Sequence, residues 1–175
     1  NTKTSISDAI RSAVDQGADV INMSFSRNDP HGELDAINPL DREAVEYAHR
    51  KGAILVAGAG NLQETGPNVG PPASIPGVIA VAGLNKKAEF WEGGATGAPM
   101  GLAAPGVDIL GAYPLSMGTE GYGNNTGTSA ATAVVSGIAA LVKAKHPDLD
   151  AANLVNRLTA TAVDKGAEGR DAQYG

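Results

Sequence analysis

The side chain with the clearest potential for chemistry is the hydroxyl of Ser129, in the stretch Gly127-Thr128-Ser129. It opens a long run of small and apolar residues, a pattern that predicts a buried helix. The first turn of a helix presents unpaired N–H groups and the positive end of the helix dipole. Such a position can stabilise an oxyanion beside a nucleophilic serine. On its own, however, the stretch is more typical of a helix cap.

A second candidate group is the side-chain amide of Asn61, in the stretch Gly58-Ala59-Gly60-Asn61. This stretch follows a predicted parallel strand, and open α/β sheets bind ligands at the carboxyl ends of their strands. An amide placed there could donate a hydrogen bond to a developing oxyanion. Glycine and asparagine are also common turn residues, so a simple strand-terminating turn is the alternative.

The third candidate is the stretch Ser24-Phe25-Ser26, at the end of the first predicted strand. An exposed strand edge at this point could pair with an extended peptide. The alternative is an ordinary strand end without a ligand.

These groups are carried by helices and strands that alternate along the chain. Ile6, Ile10 and Val14 are spaced four residues apart, as on one face of a helix, whereas residues 53–59 are continuously apolar, as in a buried strand. Strand, helix and strand in this order predict a parallel βαβ unit. The full pattern predicts helices over 5–16, 41–50, 128–145 and 149–163, strands over 19–24, 53–59, 78–82, 102–104 and 107–112, and a glycine-rich loop over 113–125.

Composition restricts the class of protein. The 175 residues suit one α/β domain, with 42% apolar residues and 23 glycines. The net charge is −6 and no basic cluster is present, which argues against nucleic-acid binding. Disulfides and thiolate metal sites are excluded because there is no cysteine. The longest nearly apolar run, 130–142, is shorter than a membrane span and is interpreted as a buried helix that is apolar on almost all sides.

Five stretches, taken in order, resemble the subtilisin family of serine proteases (subtilases). They cover residues 19–24, 56–61, 72–81, 104–107 and 127–131, the last continued by 135–141. Each stretch is weak alone, but the ordered set is highly specific and covers almost the whole chain. The resemblance implies a three-layer α/β/α fold with a mostly parallel sheet. The tail from Arg157 onwards is similar to the mycosin branch of actinobacterial subtilases.

The resemblance also implies a role for each candidate residue. Ser129 would be the nucleophile, and Asn61 would donate to the oxyanion together with the backbone N–H of Ser129. Ser24 to Ser26 would line the cleft for extended substrates, and Gly58 to Gly60 would form one wall of the S1 pocket. The implied substrate-binding positions are Ser24, Phe25, Ser26, Gly58, Ala59, Gly60 and Thr128.

A serine nucleophile needs a base, and the base needs an orienting carboxylate. In subtilases the Asp and the His precede the Ser, but this sequence contains neither Asp-Ser/Thr-Gly nor His-Gly-Thr. His31 lies in a polar loop, and His49 lies in a predicted helix. His146 ends the helix that Ser129 begins, roughly 25 Å away at about 1.5 Å per residue. None of the three is therefore expected to serve as the base.

We therefore expect residues 1–175 to be the C-terminal portion of a single subtilisin-like peptidase domain, incomplete at its N-terminus. The expected activity is that of a serine endopeptidase, although this chain alone should be inactive. The expected partners are a peptide or protein substrate and the missing N-terminal part of the catalytic domain, without nucleic acid and without a membrane segment in this chain. The alternative is a catalytically inactive subtilase that binds peptides.

The resemblance further implies an exported protein and no cofactor. Calcium binding is possible because many family members bind calcium, but no Asp-rich ligand run occurs in this sequence.

Two other classes of α/β protein share single features with the sequence. A dinucleotide-binding fold would match Gly58-x-Gly60, but Gln63 stands where the third glycine of that motif belongs. An α/β-hydrolase would match Gly127-x-Ser129, but it requires an acid and then a well-placed histidine after the serine. Both classes are disfavoured on these grounds.

Overall fold

Helices and strands alternate through the first half of the chain, as the apolar pattern predicts. The structure is a computed structural model that describes residues 5–27, 37–118 and 120–175. The helices are α1 (Ile6–Asp15), α2 (Pro39–Arg50), α3 (Leu62–Thr65), α4 (Thr128–Lys145) and α5 (Ala151–Ala160). The strands are β1 (Val20–Met23), β2 (Ile54–Gly58), β3 (Ile79–Leu84), β4 (Met100–Pro105), β5 (Ile109–Ala112) and β6 (Tyr122–Asn125).

A four-stranded parallel sheet in the order β1-β2-β3-β4 forms the centre of the fold. Strand β2 is buried along its whole length because a helical layer covers each face. Leu55 and Ala57 pack in the apolar cluster that includes α1 and α2, whereas Ile54 and Val56 pack in the cluster that includes α4 and α5. This alternation is what a strand between two helical layers requires. The predicted three-layer α/β/α fold is confirmed.

Residues 113–125 differ from the predicted loop. Strand β6 lies within them and pairs with β5 in a separate antiparallel ladder, from Ile109 opposite Asn125 to Ala112 opposite Tyr122. The loop prediction is wrong for this strand because the sequence Tyr-Gly-Asn-Asn shows no apolar alternation, so that backbone pairing alone identifies it.

Helix α4 begins and ends where the sequence predicts, but it is not buried on all sides. Ala131, Val135 and Ala139 face the sheet and are almost fully buried. Ile138 and Leu141, on a neighbouring face, are 45% and 72% exposed. No element in the described ranges covers that face, which is why apolar composition here does not mean burial. Among those same ranges, no helix combines the length and the apolar character needed to cross a membrane.

A buried ion pair holds the segment after β1 to the helical layer. The carboxylate of Asp41, in the first turn of α2, is 1% exposed and pairs with the guanidinium of Arg27. It also accepts a hydrogen bond from the backbone N–H of Ser7, at 3.1 Å. The backbone N–H of Arg27 in turn donates to the carbonyl oxygen of Pro71, at 2.7 Å. Together these contacts connect α1, α2 and the loop before β3.

We expect the substitution Asp41→Ala to lower the free energy of unfolding by about 2–3 kcal/mol. It leaves a partly buried guanidinium and a buried backbone N–H without their acceptor. Denaturant unfolding measures the loss. The matched control is Glu43→Ala on the same helix, which removes an exposed ion pair with Arg11 and should cost under about 1 kcal/mol. Equal losses in the two variants would contradict the structural role of Asp41.

The C-terminal tail is ordered by one carboxylate. Asp171 accepts hydrogen bonds from the backbone N–H groups of Ala167, Gln173 and Tyr174, at 3.1, 2.7 and 2.7 Å. These donors, those of Tyr174 and Gln173 above all, stabilise the charged form and hold the pKa of Asp171 below its ordinary value. The tail is attached to the rest of the fold where the Tyr174 hydroxyl accepts the backbone N–H of Phe90, at 3.1 Å.

The lowered pKa of Asp171 gives the tail a pH dependence with a defined sign. The folded pKa lies below the unfolded one, so the stabilisation is present above the unfolded value, about 4, and is lost as the pH falls through the folded value. We expect the amide protons of Gln173 and Tyr174 to lose hydrogen-exchange protection on acidification, and Asp171→Asn to remove this dependence. Asp148→Asn is the control. An unchanged pH profile in Asp171→Asn would contradict the assignment.

Candidate active site

The ends of β1 and β2 meet the beginning of α4 at one edge of the sheet. The parallel register pairs Asn22 with Val56 and Met23 with Ala57, so the two strands end side by side. A cleft of about 280 Å³ opens at this point. Its lining residues are Ser24, Phe25, Ser26, Gly58, Gly60, Asn61, Glu64, Thr65, Thr128 and Ser129. The structure therefore brings together the three stretches that the sequence analysis selected separately.

Ser129 lies exposed in the first turn of α4 and is tied to the end of β1. Its Oγ donates to the carbonyl oxygen of Ser24 at 3.2 Å, and Ser24 Oγ donates to the carbonyl oxygen of Ser129 at 3.1 Å. The backbone N–H of Ser129 has no acceptor in the part of the chain that the structure describes. A hydroxyl and a free N–H at a helix N-terminus are the two features that a serine nucleophile requires there.

The amide of Asn61 is oriented by Thr128. Its Oδ1 accepts from both the backbone N–H and the Oγ1 hydroxyl of Thr128, each at 3.1 Å. Its Nδ2 donates one hydrogen to Oε2 of Glu64 at 3.1 Å, and no acceptor among the described residues takes the second. The carbonyl end of the amide is therefore fixed toward α4, and an N–H group of Nδ2 remains available.

Gly58 permits the close contact between β2 and α4. A Cβ at this position would lie 3.0 Å from Thr128 Oγ1 and 3.2 Å from Thr132 Oγ1, tighter than ordinary side-chain contacts. The next glycine, Gly60, donates its backbone N–H to Thr128 Oγ1 at 3.3 Å. The two glycines thus allow the side chain of Thr128 to contact both the end of β2 and the amide of Asn61.

Ala59 differs from its neighbours in position. Its side chain is fully buried in the apolar cluster on the α1–α2 side of the sheet, and its backbone N–H donates to the carbonyl oxygen of Val81 at 3.0 Å. Successive side chains of a strand point to opposite faces, so Ala59 faces the core and does not line the cleft. Within the cleft, the wall assigned to this stretch consists of Gly58 and Gly60.

The described histidines do not reach Ser129. His49 Nε2 lies 2.7 Å from the carbonyl oxygen of Gly77 and donates to it, on the opposite helical layer. His146 follows the last turn of α4, at the far end of the helix from Ser129. His31, which the sequence analysis also rejected, lies outside the described residues. In residues 5–27, 37–118 and 120–175, no histidine therefore lies beside Ser129.

The described residues were also compared with the side-chain clusters that bind metal ions. No group of three or more His, Asp or Glu side chains among them could hold a metal. Calcium remains an expectation from the resemblance, and no chemical step is assigned to it.

Sequence reasoning missed Glu64, which is the charged side chain among the residues lining the cleft. The signal was present in the spacing Asn61-x-x-Glu64, which places the carboxylate at the third position of a short helix capped by Asn61. A Glu at this position commonly reaches back to the cap residue. Here the Glu64 carboxylate accepts a hydrogen bond from the side chain of the cap residue, Asn61. It therefore brings a negative charge close to that amide.

Known proteins with similar sequence or structure share this architecture. The sequence profile of the Subtilase family matches residues 1–175. Subtilisin DY from Bacillus licheniformis is 35% identical over 167 residues, covering 94% of this chain and 57% of the subtilisin. The halolysin-like extracellular serine protease Nep from Natrialba magadii is 36% identical, covering 97% of this chain and 29% of the protease. The structure of sphericase superposes with a TM-score of 0.81 at 30% identity, covering 97% of this chain and 61% of sphericase.

The chain spans little more than half the length of subtilisin DY and less than a third of Nep. The resemblance carried by the five sequence stretches and the parallel sheet with its two helical layers agree with these matches. The mycosin branch stays a prediction, because none of these proteins tests it. The family itself is established by the match over the whole chain, and the protein belongs to the subtilases.

Proposed function

We propose that residues 1–175 form the C-terminal portion of a single serine endopeptidase domain, with Ser129 as its nucleophile. The observation that carries the proposal is the pair of donors in the cleft that Ser129 lines. One is the backbone N–H of Ser129, and the other is an N–H of the Asn61 amide, held in place by Thr128. Two such donors beside a hydroxyl are the arrangement that stabilises the tetrahedral intermediate of acyl transfer.

The reaction follows from this arrangement together with a base that the described residues do not supply. Ser129 Oγ leaves the Ser24 carbonyl and attacks the carbonyl carbon of the scissile peptide bond, while its proton passes to a histidine of the complementary segment. The oxyanion accepts hydrogen bonds from the Ser129 N–H and Asn61 Nδ2. Collapse expels the amine, which takes the proton from the imidazolium, and water then hydrolyses the acyl-enzyme by the same steps.

The cleft suits an extended peptide. Ser24, Phe25 and Ser26 continue from β1, which is the edge strand of the described sheet. Backbone groups at a sheet edge can pair with a peptide strand, and alternate side chains then supply selectivity. Phe25 is 49% exposed and offers an apolar contact for a substrate side chain.

The proposed partner besides the substrate is the part of the catalytic domain that supplies the Asp and the His. Two features support it. The exposed Ile138 and Leu141 form an apolar face on α4, and the outer edge of β1 has no partner among the described residues. Both features adjoin the cleft-forming elements, so one additional layer could cover them and also place a base beside Ser129. The greater length of the relatives is consistent with such a layer.

We further propose that the protein acts after export. The support is the relative Nep, which is an extracellular serine protease. Labelling of Ser129 by a reactive probe distinguishes the proposed endopeptidase from the alternative, an inactive peptide-binding module.

We expect a fluorophosphonate probe to label Ser129 when the complementary Asp and His segment is present, and not in residues 1–175 alone. Phosphonylation needs a deprotonated nucleophile, and the chain alone has no described base. Peptide mass mapping identifies the labelled residue. Ser129→Ala should abolish labelling, whereas Ser136→Ala, on the same helix with its Oγ bonded to Asn22, should keep it. Labelling of another serine would refute the assignment, and no labelling with retained peptide binding would favour the inactive module.

We expect Asn61→Ala to lower kcat by about 10²–10³ with a smaller change in KM. That magnitude is the one known for loss of the oxyanion asparagine in subtilisin itself, and it is borrowed here. Steady-state hydrolysis of a peptide substrate, with the complementary Asp and His segment present, measures it. Asn156→Ala, exposed on α5, is the control. Because Asn61 also holds Thr128, the thermal unfolding midpoint must be compared, and a loss of kcat that follows unfolding alone would contradict an oxyanion role.

A further inference from the structure

A second pocket, larger than the cleft, lies elsewhere in the fold. Its volume is about 650 Å³, and it is formed by residues 68–69, 73–78 and 96–99 together with Arg170 of the tail. It shares no lining residue with the cleft at Ser129. A volume in this range is typical of sites for small organic molecules.

The walls of this pocket are mostly apolar. Val69, Ala73 and Ile75 are almost fully buried and contribute aliphatic surface, and Val78 and Pro99 add more. No Asp, Glu or His side chain is among the lining residues. A ligand with an aliphatic or aromatic body therefore fits the walls, and a metal cation finds no carboxylate or imidazole there.

Arg170 supplies the positive charge at this pocket. Its Nε donates to the carbonyl oxygen of Met100 at 2.8 Å, and one Nη donates to the carbonyl oxygen of Pro99 at 3.2 Å. These two bonds fix the plane of the guanidinium. No carboxylate in the described ranges lies within ion-pair distance of it. The adjacent carboxylate of Asp171 is occupied by backbone N–H groups of the tail.

The remaining guanidinium N–H groups thus have no acceptor among the described residues. A guanidinium with a fixed plane and free N–H groups is suited to bidentate binding of a carboxylate.

Ser74 provides a second, independent sign of a ligand. The residue lines the pocket and is 5% exposed, and its Oγ is buried without a hydrogen-bond partner among the described residues. Buried hydroxyl groups are nearly always hydrogen-bonded, because an unpaired one is unfavourable. A polar atom of a bound molecule would give this hydroxyl the partner that the described chain does not.

We propose that this pocket binds a small organic carboxylate with an aliphatic or aromatic body. The carboxylate pairs with the free N–H groups of Arg170, and the body lies against Val69, Ile75 and Val78. The site goes beyond the proposed proteolysis, because none of its groups belongs to the cleft and binding requires neither Ser129 nor a base.

Hexanoate is a suitable probe, with hexanol and hexylamine as analogues of equal length. We expect saturable binding of hexanoate by titration calorimetry, weaker binding of hexanol, and none of hexylamine, because the cation is repelled by Arg170. Methyl shift changes in NMR spectra should fall on Ile75 and Val78. Equal binding of hexylamine, no saturable binding of hexanoate, or shift changes confined to the cleft would overturn the proposal.

Variants locate the carboxylate. Arg170→Gln should weaken hexanoate binding by about tenfold or more, since a charge-assisted pair is lost. Because Arg170 also holds the tail, Ala98→Glu is a second variant: Ala98 is exposed in the pocket lining, and the new carboxylate should compete for Arg170 with a similar loss. Arg157→Gln, exposed on α5, and Ser129→Ala should both bind hexanoate unchanged. Unchanged affinity in Arg170→Gln, or lost affinity in Ser129→Ala, would refute the site.

Discussion

The hydrogen bonds between Asn61 and Thr128 are the contact on which the rest of the site depends. One side-chain oxygen accepts both the backbone N–H and the hydroxyl of Thr128, and in this way joins the end of β2 to the first turn of α4. The same helix turn is joined to the end of β1 through Ser24 and Ser129. Three elements that are distant in sequence are thereby held in one arrangement, and Ser129 and the Asn61 amide are fixed relative to one another.

The three-layer packing explains why β2 and α4 lie close enough for this contact. The sheet is buried on both faces. On one of them α4 packs against β1 to β4 through small residues that include Ala131 and Ala139. Small side chains bring a helix backbone close to a sheet, and densely packed interiors leave little freedom to drift. A neighbouring face of α4 leaves Ile138 and Leu141 exposed. The helix is therefore rigidly supported on the side that positions Ser129 and open on the other.

Much of the fold follows from local pattern in the sequence, and the exceptions have physical causes. Strand β2 and helix α4 were predictable because a short apolar run between turn residues favours a buried strand, whereas a long alanine-rich run favours a helix. Strand β6 was not, because its residues are polar or glycine and only pairing with β5 defines it. The exposure of Leu141 could not be predicted either, since apolar composition does not reveal whether another layer covers the helix.

The site shows the same division. Ser129, Asn61 and the Ser24–Ser26 stretch could be selected from sequence order, because parallel strands end at a common edge. The contacts of Arg170 could not, because they depend on which carbonyl groups lie nearby in space. Glu64 was missed although its spacing from Asn61 carried the signal. Ala59 illustrates a finer limit. Its motif suggests a position beside the cleft. Side chains alternate along an extended backbone, however, and the side chain of Ala59 points into the core.

Gly58 determines how closely α4 can pack against β2. A Cβ atom at this position would crowd the hydroxyl oxygens of Thr128 and Thr132. The helix and the strand therefore pack too closely to admit any side chain there. A helix displaced by a few tenths of an ångström at this point would carry Ser129 with it and loosen the hold on Asn61. The relative positions of Ser129 and Asn61 therefore depend on the absence of a Cβ atom at residue 58.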